Sequence, residues 1–105
     1  MMRISAVVAI VPGVAEPELR DWIARGWVMP DGDPPDWMFG AQDVARVRVV
    51  RALRHDADLA VDHLALVLSL LDRVGELRDR LARLDVALTD QPPPVRAAIE
   101  ALLRR

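Results

Sequence analysis

Seven aliphatic residues, Val67, Leu70, Val74, Leu77, Leu81, Leu84 and Leu88, recur three and four apart without interruption. That period marks one face of a helix about three heptads long, with Arg73, Arg78, Arg80 and Asp85 flanking the seam as charged coiled-coil edges do. Such a helix needs a partner for its stripe, and no second helix of similar length is left in 105 residues. The expected solution is a homodimer built on this helix. Gln91-Pro92-Pro93-Pro94 ends it, because proline rings clash with helix continuation. Val95 to Arg104 then reads as a short amphipathic helix using Val95, Ile99, Leu102 and Leu103.

The N-terminal half carries a different pattern. Ser5 is placed as the cap of a short helix running to about Val11 and ended by Pro12-Gly13. After Gly13-Val14, Leu19, Trp22 and Ile23 stand at helical spacing, and Gly26 terminates a helix from about Glu16 to Arg25. Pro17 is acceptable in its first turn. A short helix, a glycine turn and a second helix form a helix-turn-helix, whose second helix normally enters the DNA major groove. The exposed positions of a DNA-reading helix should be basic or amide-bearing, since phosphate neutralisation supplies much of the affinity. Here they are Glu16, Glu18 and Asp21, with only Arg20 and Arg25 against them.

Between Gly26 and Gly40 the chain is rich in Pro, Gly and Asp. Trp27-Val28-Met29 and Trp37-Met38-Phe39 read as two short strands of a small wing, with Trp37 and Phe39 on one face. A third helix is expected from Gly40 to His55, lined by Val44, Val47, Val50 and Leu53, with Gly40 and Asp43 at its cap. Asp56-Ala57-Asp58 interrupts it, and a further helical segment begins near Leu59.

Composition narrows the function classes. The net charge is −2 and the pI about 5.6, so the chain as a whole has no attraction to DNA or anionic membranes. The charge is uneven: three Arg face seven Asp and Glu before residue 46, and eleven face nine after it. Cysteine is absent, which removes disulfides, thiol nucleophiles and Cys-based metal sites, and a cytoplasmic location is expected. The run AVVAIV after Arg3 is shorter than a secretory core, and nothing approaches the length of a bilayer span, so no membrane association is expected.

Other chemistry finds little support. His55 and His63 straddle the expected helix break near Asp56, Asp58 and Asp62, without metal-site spacing, and are read as solvated or capping groups. Asp31, Asp33 and Asp36 lack the later glutamate of a calcium loop, and prolines interrupt them. Arg46, Arg48, Arg51 and Arg54 are read as a solvated helix face paired to nearby carboxylates in preference to a phosphate contact. Ser5 and Ser69 have no histidine and acid around them, and no phosphate-cradling glycine loop exists. No cofactor and no catalysis are expected. Trp22 is expected in the core, while Trp27 and Trp37 fit either a core or an interface anchor.

A helix-turn-helix, a two-stranded wing, a further helix pair and a long dimerisation helix resemble the plan of the MerR-like family. Gly13-Val14, Leu19-Arg20, Trp22 and Gly26 fit its GVSxxTLRYYExxGL motif without a gap. Trp37-Met38-Phe39 and Asp43-Val44-Ala45-Arg46-Val47 resemble its wing motif GYRYSxxDLxRL, so the likeness covers about residues 3–90. Departures fall where that family reads DNA: Ala15, Pro17 and Glu18 replace small hydroxylic or basic residues. Asp21 stands for the first motif tyrosine and Met38 for the wing arginine.

Within that superfamily the chain is similar to the chaperone modulatory CbpM family. The likeness lies in the GWV segment, the W-x-F wing, the VLSLLDRVGELRDRLARL helix and the QPPPVRAAI tail. The resemblance implies binding to the J-domain of a DnaJ-like co-chaperone (CbpA), blocking both its cooperation with Hsp70 and its DNA binding. Independently of the resemblance, Glu16, Glu18 and Asp21 sit where a recognition helix would approach phosphates and would repel them, so little affinity of this chain for duplex DNA is expected. J-domains present a basic helix, for which an acidic face would compete electrostatically.

The expected fold is therefore mostly α. Residues 1–62 form a MerR-like winged helix-turn-helix with a short two-stranded wing. Residues 63–90 form a coiled-coil dimerisation helix, and residues 91–105 a Pro-rich turn and short C-terminal helix. Expected partner-binding residues are Glu16, Glu18, Asp21, Arg25, Trp27 and Trp37. The expected dimerisation residues are the seven of the seam. A DNA-binding regulator of MerR type is the alternative.

Overall fold

The computed structural model describes residues 1–105 and contains five α-helices. Helices α1 (Ile4–Ile10) and α2 (Glu16–Ala24) are joined by a turn at Gly13, and α3 (Ala41–Arg51) follows a long loop. A single π-helical turn, Ala52–Asp56, extends α3, and α4 (Val61–Thr89) and α5 (Pro93–Leu103) complete the chain. The molecule divides into two compact units, Met1–Leu68 and Ser69–Arg105.

In the first unit every helix contributes to one apolar core, which includes Val7, Leu19, Trp22, Val28, Phe39, Val47, Val50 and Leu64. Burying an aliphatic or aromatic side chain of this size contributes about 1.5–3 kcal/mol. The turn at Gly13 has φ +84°, and Gly26, with φ +77°, follows α2. Both lie in the left-handed region where glycine has no steric cost. The Gly26 N–H donates to the Ile23 carbonyl and the Trp27 N–H to the Trp22 carbonyl, so the chain reverses and carries Trp27 and Val28 into the core.

Helix α1 begins at Ile4 with Arg3 as an uncapped N-cap residue, and Ser5 lies inside the helix, not at its cap. The cause is upstream. Met2 exchanges two backbone hydrogen bonds with Phe39 (2.8 and 2.7 Å), which holds the chain extended up to Arg3 and makes it turn there.

The two-stranded wing is not formed. Trp27-Val28-Met29 does not pair with Trp37-Met38-Phe39. Met38 exchanges hydrogen bonds with Asp31 (3.0 and 2.8 Å), and Phe39 pairs with Met2 on its other side, each as an isolated bridge. Two features account for this. Trp27 and Val28 are committed to the core, and Pro30, Pro34 and Pro35 have no N–H to donate to a longer ladder.

Helix α3 starts where expected, with the Gly40 N–H donating to Asp43 Oδ2 at 2.8 Å. Its C-terminal end widens into the π turn, closed by the Ala57 N–H on the Ala52 carbonyl, and Asp58 adopts φ +51°. That residue separates α3 from α4, as the Asp56-Ala57-Asp58 break implies. Leu64 and Leu68 of α4 then enter the first unit's core.

The second unit consists of the rest of α4 and α5. Helix α4 continues through Gly75 to Thr89 without a break. Helix α5 starts at Pro93, two residues before the expected Val95, because proline is tolerated in a first helical turn. No helix is long and apolar enough to cross a membrane.

Candidate protein-interaction site

Helix α2 presents its polar side outward while Leu19 and Trp22 are buried beneath it. Glu16 and Glu18 lie in the first turn, where carboxylates complement the exposed N–H groups and positive end of the helix dipole. The same charges would repel a phosphate approaching that end.

None of the three α2 carboxylates is free. Arg20 donates to Glu16 Oε1 from Nη2 at 2.8 Å and from Nε at 3.2 Å. Arg25 Nε donates to Asp21 Oδ2 at 2.9 Å. Glu18 reaches across to the end of the π turn, where His55 Nε2 donates to its Oε1 at 2.9 Å; an ionised carboxylate can only accept. The His55 ring also packs against Trp22, with centroids 6.3 Å apart and planes tilted by 50°.

Both arginines are held a second time. The Arg20 Cζ lies 5.4 Å from the Trp37 ring centroid, and the Arg25 Cζ lies 5.2 Å from that of Trp27. The face therefore carries two stacks of carboxylate, guanidinium and indole: Glu16–Arg20–Trp37 and Asp21–Arg25–Trp27. Each (i, i+4) pair contributes about 0.3–0.5 kcal/mol and each exposed cation–π contact about 0.5–1 kcal/mol. Such contacts orient side chains more than they stabilise the fold, and a partner can exchange them at little cost.

Of the six residues expected at the partner surface, the structure brings Glu16, Glu18, Asp21, Arg25 and Trp37 to the outside of α2 and its adjoining loop. Trp27 is different: its side chain is 7% exposed and belongs to the core, so its outward feature is the guanidinium above it. Arg46 Nε donates to the Trp27 carbonyl at 2.8 Å, fixing the same loop to α3. The site also includes Arg20 and His55, named from the sequence but not expected at the partner surface. The Glu16–Arg20 spacing of four is a readable signal, whereas nothing local links Arg20 to Trp37 or Glu18 to His55.

On α3 and its π turn, Arg51 Nη1 donates to Asp56 Oδ2 at 3.4 Å. Arg54 Nη1 lies 3.9 Å from Asp58 Oδ1 and donates to the Leu59 carbonyl. Two of the four arginines there are thus tied to local carboxylates, while Arg48 is exposed. No three of the His, Asp and Glu side chains converge as metal ligands.

The seam residues form a continuous exposed line on α4. Leu70, Val74, Leu77, Leu81 and Leu84 are between 44% and 65% exposed, and Val67 and Leu88 are half-buried. Helix α5 exposes Val95, Ile99, Leu102 and Leu103.

Residues 8–85 match the model of a family described as MerR HTH family regulatory protein, which is about three-quarters of the chain. No curated protein and no solved structure matches it.

Proposed function

The chain belongs to the MerR HTH family of regulatory proteins, and from that premise we propose that it regulates by protein–protein contact, with α2 facing a polypeptide in place of DNA. The partner is the J-domain of a DnaJ-like co-chaperone of CbpA type, whose co-chaperone and DNA-binding activities this protein inhibits. The observation that carries the reading is the charge on α2: Glu16, Glu18 and Asp21 occupy its outer face, and its two arginines are engaged by those carboxylates and by indole rings. A partner that brings a row of basic side chains can exchange for Arg20, Arg25 and His55 on the carboxylates. Trp37, half-exposed, supplies an apolar anchor of the kind that dominates interface energetics. The partner's identity rests on the CbpM resemblance of the GWV, W-x-F and QPPPVRAAI segments.

The active form in this reading is a homodimer through Val67, Leu70, Val74, Leu77, Leu81, Leu84 and Leu88, acting in the cytoplasm. Exposure of the α4 seam along its length supports it.

A MerR-type regulator that binds duplex DNA is the second reading, favoured by the family itself and by Arg48 standing exposed on α3. Titration of fluorescent duplex DNA over a range of salt separates the two. A DNA regulator binds at micromolar concentration or better with a steep salt slope. The adaptor shows no sequence-selective binding at physiological salt and binds a J-domain from its own cell.

A further inference from the structure

The guanidinium of Arg20 fills a seat between a carboxylate and an indole: it donates twice to Glu16 Oε1 and lies over the Trp37 ring. We propose that this seat belongs to an arginine of the partner's basic helix, and that Arg20 occupies it as an internal competitor until the partner arrives. The inference rests on the protein–protein reading of α2. It adds which partner side chain is recognised and what holds the free surface in check.

Geometry is the first argument. Both bonds from Arg20 converge on one oxygen, because a side chain four residues along the same helix reaches Glu16 from the side. The stronger arrangement sets two N–H groups on the two carboxylate oxygens as a fork. An arginine approaching from solvent is not tethered to α2 and is free to present that fork. The exchange is also accessible, since the Arg20 and Glu16 side chains are 45% and 41% exposed.

The other two carboxylates are less suited. Glu18 is held by His55, whose ring packs on buried Trp22. Asp21 is paired with Arg25, which lies over Trp27, and that indole is sunk in the core. Trp37 is the one tryptophan that keeps part of its surface outside the core, so Glu16 is the carboxylate with a ring in reach of an incoming planar cation. A guanidinium is flat, weakly hydrated and stacks on aromatic faces, whereas an ammonium is a compact, strongly hydrated charge. The seat therefore selects arginine over lysine.

The probe is the J-domain of a DnaJ-like co-chaperone from the same cell, prepared with the basic positions of its exposed helix all arginine and, separately, all lysine. Both forms are titrated calorimetrically against the wild type and Arg20→Ala, and again with Trp37→Leu added to each; circular dichroism checks that every variant folds. Arg20→Ala should bind the arginine form about five- to tenfold tighter, since the ion pair and the cation–π contact no longer have to be broken. The gain should shrink to about twofold for the lysine form, and likewise for the arginine form in the Trp37→Leu background, where only the charge pair is left. Should Trp37→Leu fail to fold, the comparison of arginine with lysine decides alone. No gain, an equal gain for the two forms, or a gain that survives Trp37→Leu overturns the seat, while binding by the wild type keeps the partner reading standing. No binding of either form by the wild type or by Arg20→Ala overturns both.

Discussion

The Arg51 guanidinium lies against the backbone of Gly13: a Cβ built on Gly13 would stand 3.0 Å from Arg51 Nε and 3.1 Å from Nη2. The turn between α1 and α2 is thereby locked against α3 by a side chain 38 positions away, and the glycine is needed both for its φ of +84° and for the room it leaves. Arg51 Nε has no hydrogen-bond partner there, so the contact is one of packing.

Gly13→Ala should lower stability by about 1–2 kcal/mol, the cost of left-handed backbone for a residue with a Cβ together with the crowding of Arg51. Urea unfolding followed by Trp fluorescence measures it. In an Arg51→Ala background the same substitution should cost less, because only the backbone term remains; an equal cost in both backgrounds would show that the contact is irrelevant.

Phe39 is fully buried and its backbone is bridged to Met2. Phe39→Ala should cost about 3–5 kcal/mol by the cavity it leaves. In a unit this small that loss approaches the whole folding free energy, so the expected circular dichroism melt is broad and shifted to low temperature. A loss under 1 kcal/mol would mean that the loop packs differently from the arrangement described.

Much of the fold could be read from the sequence because helices are local. The α2 frame between Gly13 and Gly26, the Asp43 cap of α3 and the seam of α4 each follow from spacings of three or four. The loop was not legible for the opposite reason. Phe39 pairs with Met2, 37 positions away, and Met38 pairs with Asp31, in place of the neighbouring Trp27 segment. Ser5 lost its capping role to the same long-range pair, which sets where α1 begins. The acidic character of α2 was visible in Glu16, Glu18 and Asp21. Its compensation was half visible: Arg20 and Arg25 stand four residues beyond a carboxylate, but the His55 and Trp37 contacts depend on tertiary structure.

Replacing Leu77 and Leu81 by Glu should convert the protein to monomers without unfolding the first unit. Both side chains are exposed on α4 and neither belongs to the core. Light scattering reports the mass and Trp fluorescence the integrity of the Trp22 environment. A wild-type chain that is already monomeric at tens of micromolar, a range in which a three-heptad seam holds, would refute the homodimer.

The pairing on α2 makes the most direct test of the central claim a charge reversal. Single exposed ion pairs contribute under about 1 kcal/mol, so one substitution would be too small to read reliably. The Glu16→Arg, Glu18→Arg, Asp21→Arg variant removes all three carboxylates while leaving Leu19 and Trp22 in place. The measurement is isothermal titration of this variant and of the wild type against the J-domain of a DnaJ-like co-chaperone from the same cell. The account predicts binding by the wild type and at least a tenfold loss, about 1.4 kcal/mol, in a variant that still folds and keeps its mass. Equal affinity for the two proteins would contradict the placing of the interface on α2, and no binding by the wild type would contradict the chaperone reading itself.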